Sequence, residues 1–92
     1  MSSDAGHRFT DKQGQYLAFI YTYMLLNRLP PAETDFVRFF RVTAPSVHQM
    51  IVQLERRGLI RRVPRQARSI ALLVPPADLP QLQPINMPVA RY

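Results

Sequence analysis

The apolar residues of this chain fall into stretches of helical period, then two short extended runs, then a segment with no period. Leu17, Ile20, Tyr21 and Met24 recur at spacings of three and four, which puts them on one face of a helix. Thr10 stands three residues before Gln13, a pairing in which each side chain satisfies a free amide of the first turn, so the helix begins there. Pro30-Pro31 restricts the backbone before it and ends the helix before about Leu29. A second, short helix is predicted over Glu33 to Phe40. Phe36, Val37 and Phe40 form its apolar edge, and Glu33 and Asp35 sit near its positive N-terminal end.

Thr43 is placed to cap a third helix that runs to about Arg57, with Pro45 tolerated in a first turn whose amides have no helical acceptor. Val47, Met50, Ile51 and Leu54 make its inward stripe, and Gly58 supplies the left-handed geometry that ends it. Leu59-Ile60 leading into Val63, and Ser69 to Val74, read as two strands around the exposed turn Pro64 to Arg68. The predicted fold is therefore mainly α, a three-helix winged helix-turn-helix with a two-stranded β wing. Its span is 9–74, between a flexible N-terminal tail at 1–8 and a proline-rich tail at 75–92 that is expected to be extended.

The first helix carries a second apolar row, Tyr16, Phe19, Tyr23 and Leu26, which the core stripe does not use. Such a row is too apolar for a solvated face. Either the tail folds back over it through Leu79, Leu82, Ile85, Met87 and Val89, or a second copy of the chain covers it. A homodimer through this face is the expectation.

Composition narrows the chemistry. Lys plus Arg total 12 against 6 for Asp plus Glu, giving a net charge of +6 and a polyanionic partner as the natural match. The 92 residues hold one small core, and without cysteine neither a disulfide nor a thiolate zinc site supports it. Asp4, His7 and Asp11 have no known metal-ligand spacing, and the chain's two histidines and three glycines offer neither a converging catalytic set nor a phosphate loop. No enzyme activity, metal, cofactor or small-molecule effector is expected. No stretch reaches the length of a membrane span and no basic leader precedes the first helix, so a cytoplasmic protein is expected, nucleoid-associated if bacterial.

The third helix turns Pro45, Ser46, His48, Gln49, Val52 and Gln53 outward. These side chains suit base edges and thymine methyls in a major groove, although a polar outer face alone also fits an ordinary solvated helix. The stronger signal is basic: Arg56, Arg57, Arg61, Arg62, Arg65 and Arg68 cluster at the helix end and the hairpin. Arg56 and Arg57 also suit the negative end of a helix, but dipole complementarity does not account for all six. Together with Arg41 in the turn before the helix, they are the expected phosphate contacts on double-stranded DNA. A protein-interaction module that docks through its apolar surfaces and tail is the alternative.

Phe9-Thr10 with Gln13, Pro30-Pro31-Ala32, Leu54-Glu55-Arg56-Arg57-Gly58-Leu59-Ile60 and Ala67-Arg68-Ser69-Ile70-Ala71-Leu72 together resemble the N-terminal DNA-binding domain of LexA-type repressors. The resemblance implies a winged helix whose third helix reads bases through Thr43, Pro45, Ser46, His48 and Gln49. Pro45, His48 and Gln49 depart from the side chains usual there, so the same operator is not implied. The family's peptidase domain has no counterpart in the proline-rich tail, and self-cleavage is not expected to carry over.

Overall fold

The computed structural model describes residues 8–84. Of the expected flexible tail 1–8, residues 1–7, with Asp4 and His7, lie outside the described residues, as do Ile85, Met87 and Val89 of the C-terminal tail. Helix α1 spans Asp11–Asn27. Its start is reciprocal: Thr10 Oγ1 accepts from the Gln13 amide at 3.1 Å, while Gln13 Oε1 accepts from the Thr10 amide at 3.0 Å. Helix α2 spans Glu33–Phe40, and the Asp35 carboxylate reaches back to accept from the Ala32 amide at 2.8 Å. Helix α3 spans Ala44–Arg56 with Thr43 as its cap and Pro45 in the first turn. Gly58, at φ 76°, reverses the chain, and the Leu59 amide closes on Leu54 O at 2.9 Å.

Strands β1 (Ile60–Arg61) and β2 (Ala71–Leu72) pair antiparallel, Ile60 opposite Leu72 and Arg61 opposite Ala71. The ladder is shorter than the apolar runs because a side chain takes over from it. The Val63 amide donates to Ser69 Oγ at 3.0 Å, and that hydroxyl donates back to Val63 O at 3.2 Å, closing the base of the loop without strand pairing. The core gathers Leu17 and Ile20 of α1, Phe36 of α2, and Val47, Ile51 and Leu54 of α3 with Leu59, Ile60, Ile70 and Val74 of the hairpin. Met50 of the predicted α3 stripe is only half-buried.

The second apolar row of α1 is not a free face. Tyr16 and Phe19 are 1% and 6% exposed within the chain itself, where α2 covers them. Tyr16 stacks on Phe40 at 4.5 Å between ring centroids, and Phe19 meets Phe36 at 4.9 Å and Phe39 at 4.8 Å. Three aromatic rings within α2 cover more of α1 than the single edge Phe36, Val37 and Phe40 foresees, and this corrects the dimer-face assignment of Tyr16 and Phe19. Tyr23 lies half-buried at the margin, and Leu26 remains 76% exposed.

The beginning of the proline-rich tail lies on the opposite flank of α1. A short 3-10 turn at Pro76–Asp78 brings Leu79 and Leu82 against the core, both half-buried. Gly14 makes room: a Cβ there would stand 3.1 Å from Pro80 Cγ and 3.0 Å from Phe9 Cε1. The Gln15 amide grips the extended main chain at two points, its Nε2 donating to Gln81 O at 3.0 Å and its Oε1 accepting from the Gln83 amide at 2.7 Å. Arg8 adds an ion pair to Asp78 at 3.1 Å.

Ending the chain after Val74 removes the burial of Leu79 and Leu82 and the Gln15 grip, and should cost about 2 kcal/mol. For a domain of this size that lowers Tm by roughly 8–16 °C. Gly14→Val, which pushes Pro80 off α1 in the full-length chain, should move Tm in the same direction. Unchanged melting in both variants would show that the segment lies on α1 without stabilising it.

Candidate nucleic-acid interface

Thr43 sets the geometry of the outer face of α3. Its Oγ1 accepts from the Ser46 amide at 3.3 Å and donates to Ser46 Oγ at 2.9 Å. The Ser46 hydroxyl therefore keeps its own proton for an acceptor outside the chain. Pro45, Gln49, Gln53 and Arg56 follow on the same side of the helix, all exposed, and neither glutamine has a side-chain partner among the described residues. His48 is at the flank of this row. Its Nδ1 lies 3.1 Å from Glu33 Oε2, which ties the imidazole toward the start of α2 while leaving the side chain 59% exposed.

The arginines divide into two groups. Arg62 donates to Glu55 Oε1 from Nε at 3.2 Å and from Nη2 at 3.1 Å, and its Nη1 reaches Glu33 at 3.4 Å. Arg68 bonds Asp35 at 3.0 Å, and the Tyr23 hydroxyl and Pro30 O at 3.2 Å each, with its guanidinium 5.9 Å over the Tyr23 ring. The hydrogen bond to Tyr23 and the charge of Asp35, acting against partial desolvation, hold this guanidinium above its ordinary range. Arg57 donates to Arg8 O at 2.7 Å and reaches Gln13 Oε1 at 3.5 Å, which fastens the end of α3 to the start of α1. Arg57, Arg62 and Arg68, expected as phosphate contacts, are thus engaged inside the chain. Arg41, Arg56, Arg61 and Arg65 are exposed and make no side-chain hydrogen bond or ion pair among the described residues.

A cleft of about 510 Å³ opens between the start of α2, the flank of α3 and the hairpin, with Glu33, His48, Glu55, Arg62, Arg65 and Arg68 on its walls. Its two carboxylates, Glu33 and Glu55, share the Arg62 guanidinium, and Arg65 and Arg68 stand on the same walls, so the acidic residues beside α3 do not present a bare negative surface to an approaching polyanion. Two short helices with a tight turn between them and a hairpin against the second is the winged helix-turn-helix arrangement. The family model for the LexA DNA binding domain matches residues 7–69. The chain belongs to this family.

Among curated relatives, the LexA repressor of Thermosipho melanesiensis is 35% identical over 66 residues, covering 72% of this chain and 33% of the relative. The LexA repressor of Bartonella quintana is 34% identical over 83 residues, 89% of this chain and 33% of its own. That of Bacillus subtilis is 32% identical over 83 residues, 89% of this chain and 40% of its own. The chain spans 33% to 40% of the length of these relatives. Residues 7–69 form a LexA-type DNA-binding domain. The base-reading positions implied for such a domain here, Thr43, Pro45, Ser46, His48 and Gln49, lie along the first turns of α3, with Thr43 spent as its cap.

The acidic anchors Glu33, Asp35 and Glu55 were not legible as such. Asp35 carried a signal as a carboxylate in the first turn of a helix, but its pairing with Arg68 spans 33 residues of sequence. Arg68→Ala breaks the clasp among the hairpin, α1 and α2, and should lower Tm clearly more than Arg61→Ala, whose side chain makes no hydrogen bond or ion pair among the described residues. Thermal melts of the two variants measure this, and equal melting temperatures would mean that the clasp adds no stability.

Proposed function

We propose that this chain is a transcriptional regulator that recognises preferred sequences in double-stranded DNA, with α3 in the major groove and the hairpin along the phosphate backbone. The observation that carries this reading is the sorting of the exposed face. Ser46, Gln49 and Gln53 keep unspent hydrogen-bonding capacity in one row, and Arg41, Arg56, Arg61 and Arg65 border it with no side-chain partner among the described residues. Glutamine matches the paired donor and acceptor of adenine, serine serves any base edge, and Pro45 offers apolar contact to a thymine methyl. Arginine forks match phosphate oxygens and position the helix without reading sequence. Regulation is the role named for the relatives, which are repressors. Residues 9–74 act as the DNA-binding unit with no catalytic or self-cleaving step assigned to them, and 75–84 cover α1.

Two copies on a two-fold site are part of the reading, because linkage raises affinity for a palindrome. With Tyr16 and Phe19 inside the core, the exposed apolar residues at the end of α1 are Leu25, Leu26 and Leu29, at 62%, 76% and 40%. Sedimentation of the complex on the selected site should then report the mass of the duplex plus twice the 10.7 kDa chain mass. Among the described residues no helix is long and apolar enough to cross a membrane.

Selection of bound duplexes from a random pool should return a motif, and a salt titration should show affinity falling steeply as salt rises. Little affinity for any duplex at low salt would leave the protein-interaction module as the reading. On the selected site, Ser46→Ala or Gln49→Ala should cost about 1–3 kcal/mol and change binding to random duplex little. Equal losses on both duplexes would mean that these residues position the helix without reading bases. Arg61→Ala should weaken binding to every duplex and lower the salt slope by about one unit.

A further inference from the structure

Among the described residues, the only side chains other than glycine that hold a left-handed backbone are four arginines: Arg28 at φ 62°, Arg41 at φ 57°, Arg65 at φ 62° and Arg68 at φ 55°. In this region a Cβ crowds the following carbonyl, a cost glycine escapes and asparagine or aspartate can offset with a local hydrogen bond. Arginine has neither remedy. Arg28 and Arg41 stand immediately after α1 and α2, their amides closing on Met24 O and Val37 O at 2.9 Å, in the position where helices most often place glycine. Arg65 lies in the turn of the hairpin.

The clasp on Asp35, Tyr23 and Pro30 accounts for Arg68. The other three have no such return. Their side chains are exposed and bond to nothing among the described residues. Attraction to a helix C-terminus does not select all three either, since Arg38 already stands in the last turn of α2 and Arg65 ends no helix. What the three share is location. Arg41 lies two residues before Thr43, the cap of α3. Arg65 lines the cleft beside α3. Arg28 lies two residues before Pro30, whose carbonyl receives Arg68 from the hairpin.

We propose that Arg28, Arg41 and Arg65 are phosphate contacts on duplex DNA, and that the fold gives up stability at each position to keep an arginine where glycine would serve it better. The inference rests on the DNA-binding reading above and adds to it Arg28, which lies outside both the third helix and the wing. Three left-handed corners, after α1, after α2 and at the wing turn, each deliver one guanidinium to the backbone of the duplex.

The test is Arg→Gly at each of the three positions in the full chain, with Arg→Lys beside it, read by thermal melting and by duplex affinity against salt. Glycine should raise Tm by roughly 4 °C or more, lower affinity roughly 3- to 10-fold, and reduce the salt slope by about 0.9 for each phosphate that is no longer neutralised. Lysine, which keeps the charge and the backbone cost, should leave Tm near wild type and retain most of the affinity. A rise in Tm with an unchanged salt slope overturns the proposal, because the arginine then serves no phosphate. An unchanged or lower Tm also overturns it, because the arginine then costs the fold nothing. Failure of the wild type to bind duplex at low salt overturns the DNA-binding reading, and it is seen before any variant is compared.

Discussion

Tyr16 and Phe19 pack against Phe36 and Phe40 at centroid separations between 4.5 and 5.5 Å, and this contact decides how α1 is used inside the chain. Aromatic pairs contribute about 0.5–1.5 kcal/mol beyond the area they bury, and Phe39 adds a further ring against Phe19. Once α2 is fixed on α1, the turn at Arg41 and Val42 leaves α3 little choice of direction. Its buried stripe, Val47, Ile51 and Leu54, must face the core formed with Phe36 and Ile20. The opposite side, with Pro45, Gln49 and Gln53, is then exposed as a geometric consequence of the aromatic packing. The outward display of α3 is set by residues that never approach a ligand.

Local signals were legible wherever the responsible atoms lie within a few residues of one another. The reciprocal bonds of Thr10 and Gln13, the cap at Thr43 and the reversal at Gly58 are each written in one turn of sequence, and the helix bounds follow them closely. The aromatic row was visible, but its occupant was not. A period along one helix shows which residues share a face and says nothing about whether a neighbouring helix, a tail or another molecule covers it. The division of the arginines into engaged and free ones was hidden for the same reason. Arg62 and Arg68 find carboxylates 29 and 33 residues away, a pairing that exists only after the chain has folded.

This pairing changes what the net charge means. Four of the six acidic residues, Glu33, Asp35, Glu55 and Asp78, are in ion pairs with Arg8, His48, Arg62 and Arg68. The acidic residues are thus largely met inside the fold, and Arg41, Arg56, Arg61 and Arg65 at or beside α3 and the hairpin are left without an acidic partner among the described residues. The more exposed of these pairs, Arg8 with Asp78 and His48 with Glu33, add little stability singly. The larger effect of the pairing is electrostatic sorting, since it removes negative charge from the cleft beside α3 and leaves the positive charge exposed.

The packed segment after Val74 shows how a sequence without helical or strand period still takes a defined place. An extended chain held by two half-buried leucines and a single glutamine would ordinarily lose more conformational entropy than those contacts return. Prolines at 76, 80 and 84 change that balance, because each fixes its own φ and restricts the residue before it in the free chain as well. The segment is already close to extended before it meets α1. Gln15 then needs only the main-chain O of Gln81 and amide of Gln83, which an extended backbone presents whatever its side chains are. Gly14 completes the fit by bringing the helix surface within contact of Pro80. Recognition here comes from backbone shape and a missing Cβ, neither of which leaves a trace in the hydrophobic pattern.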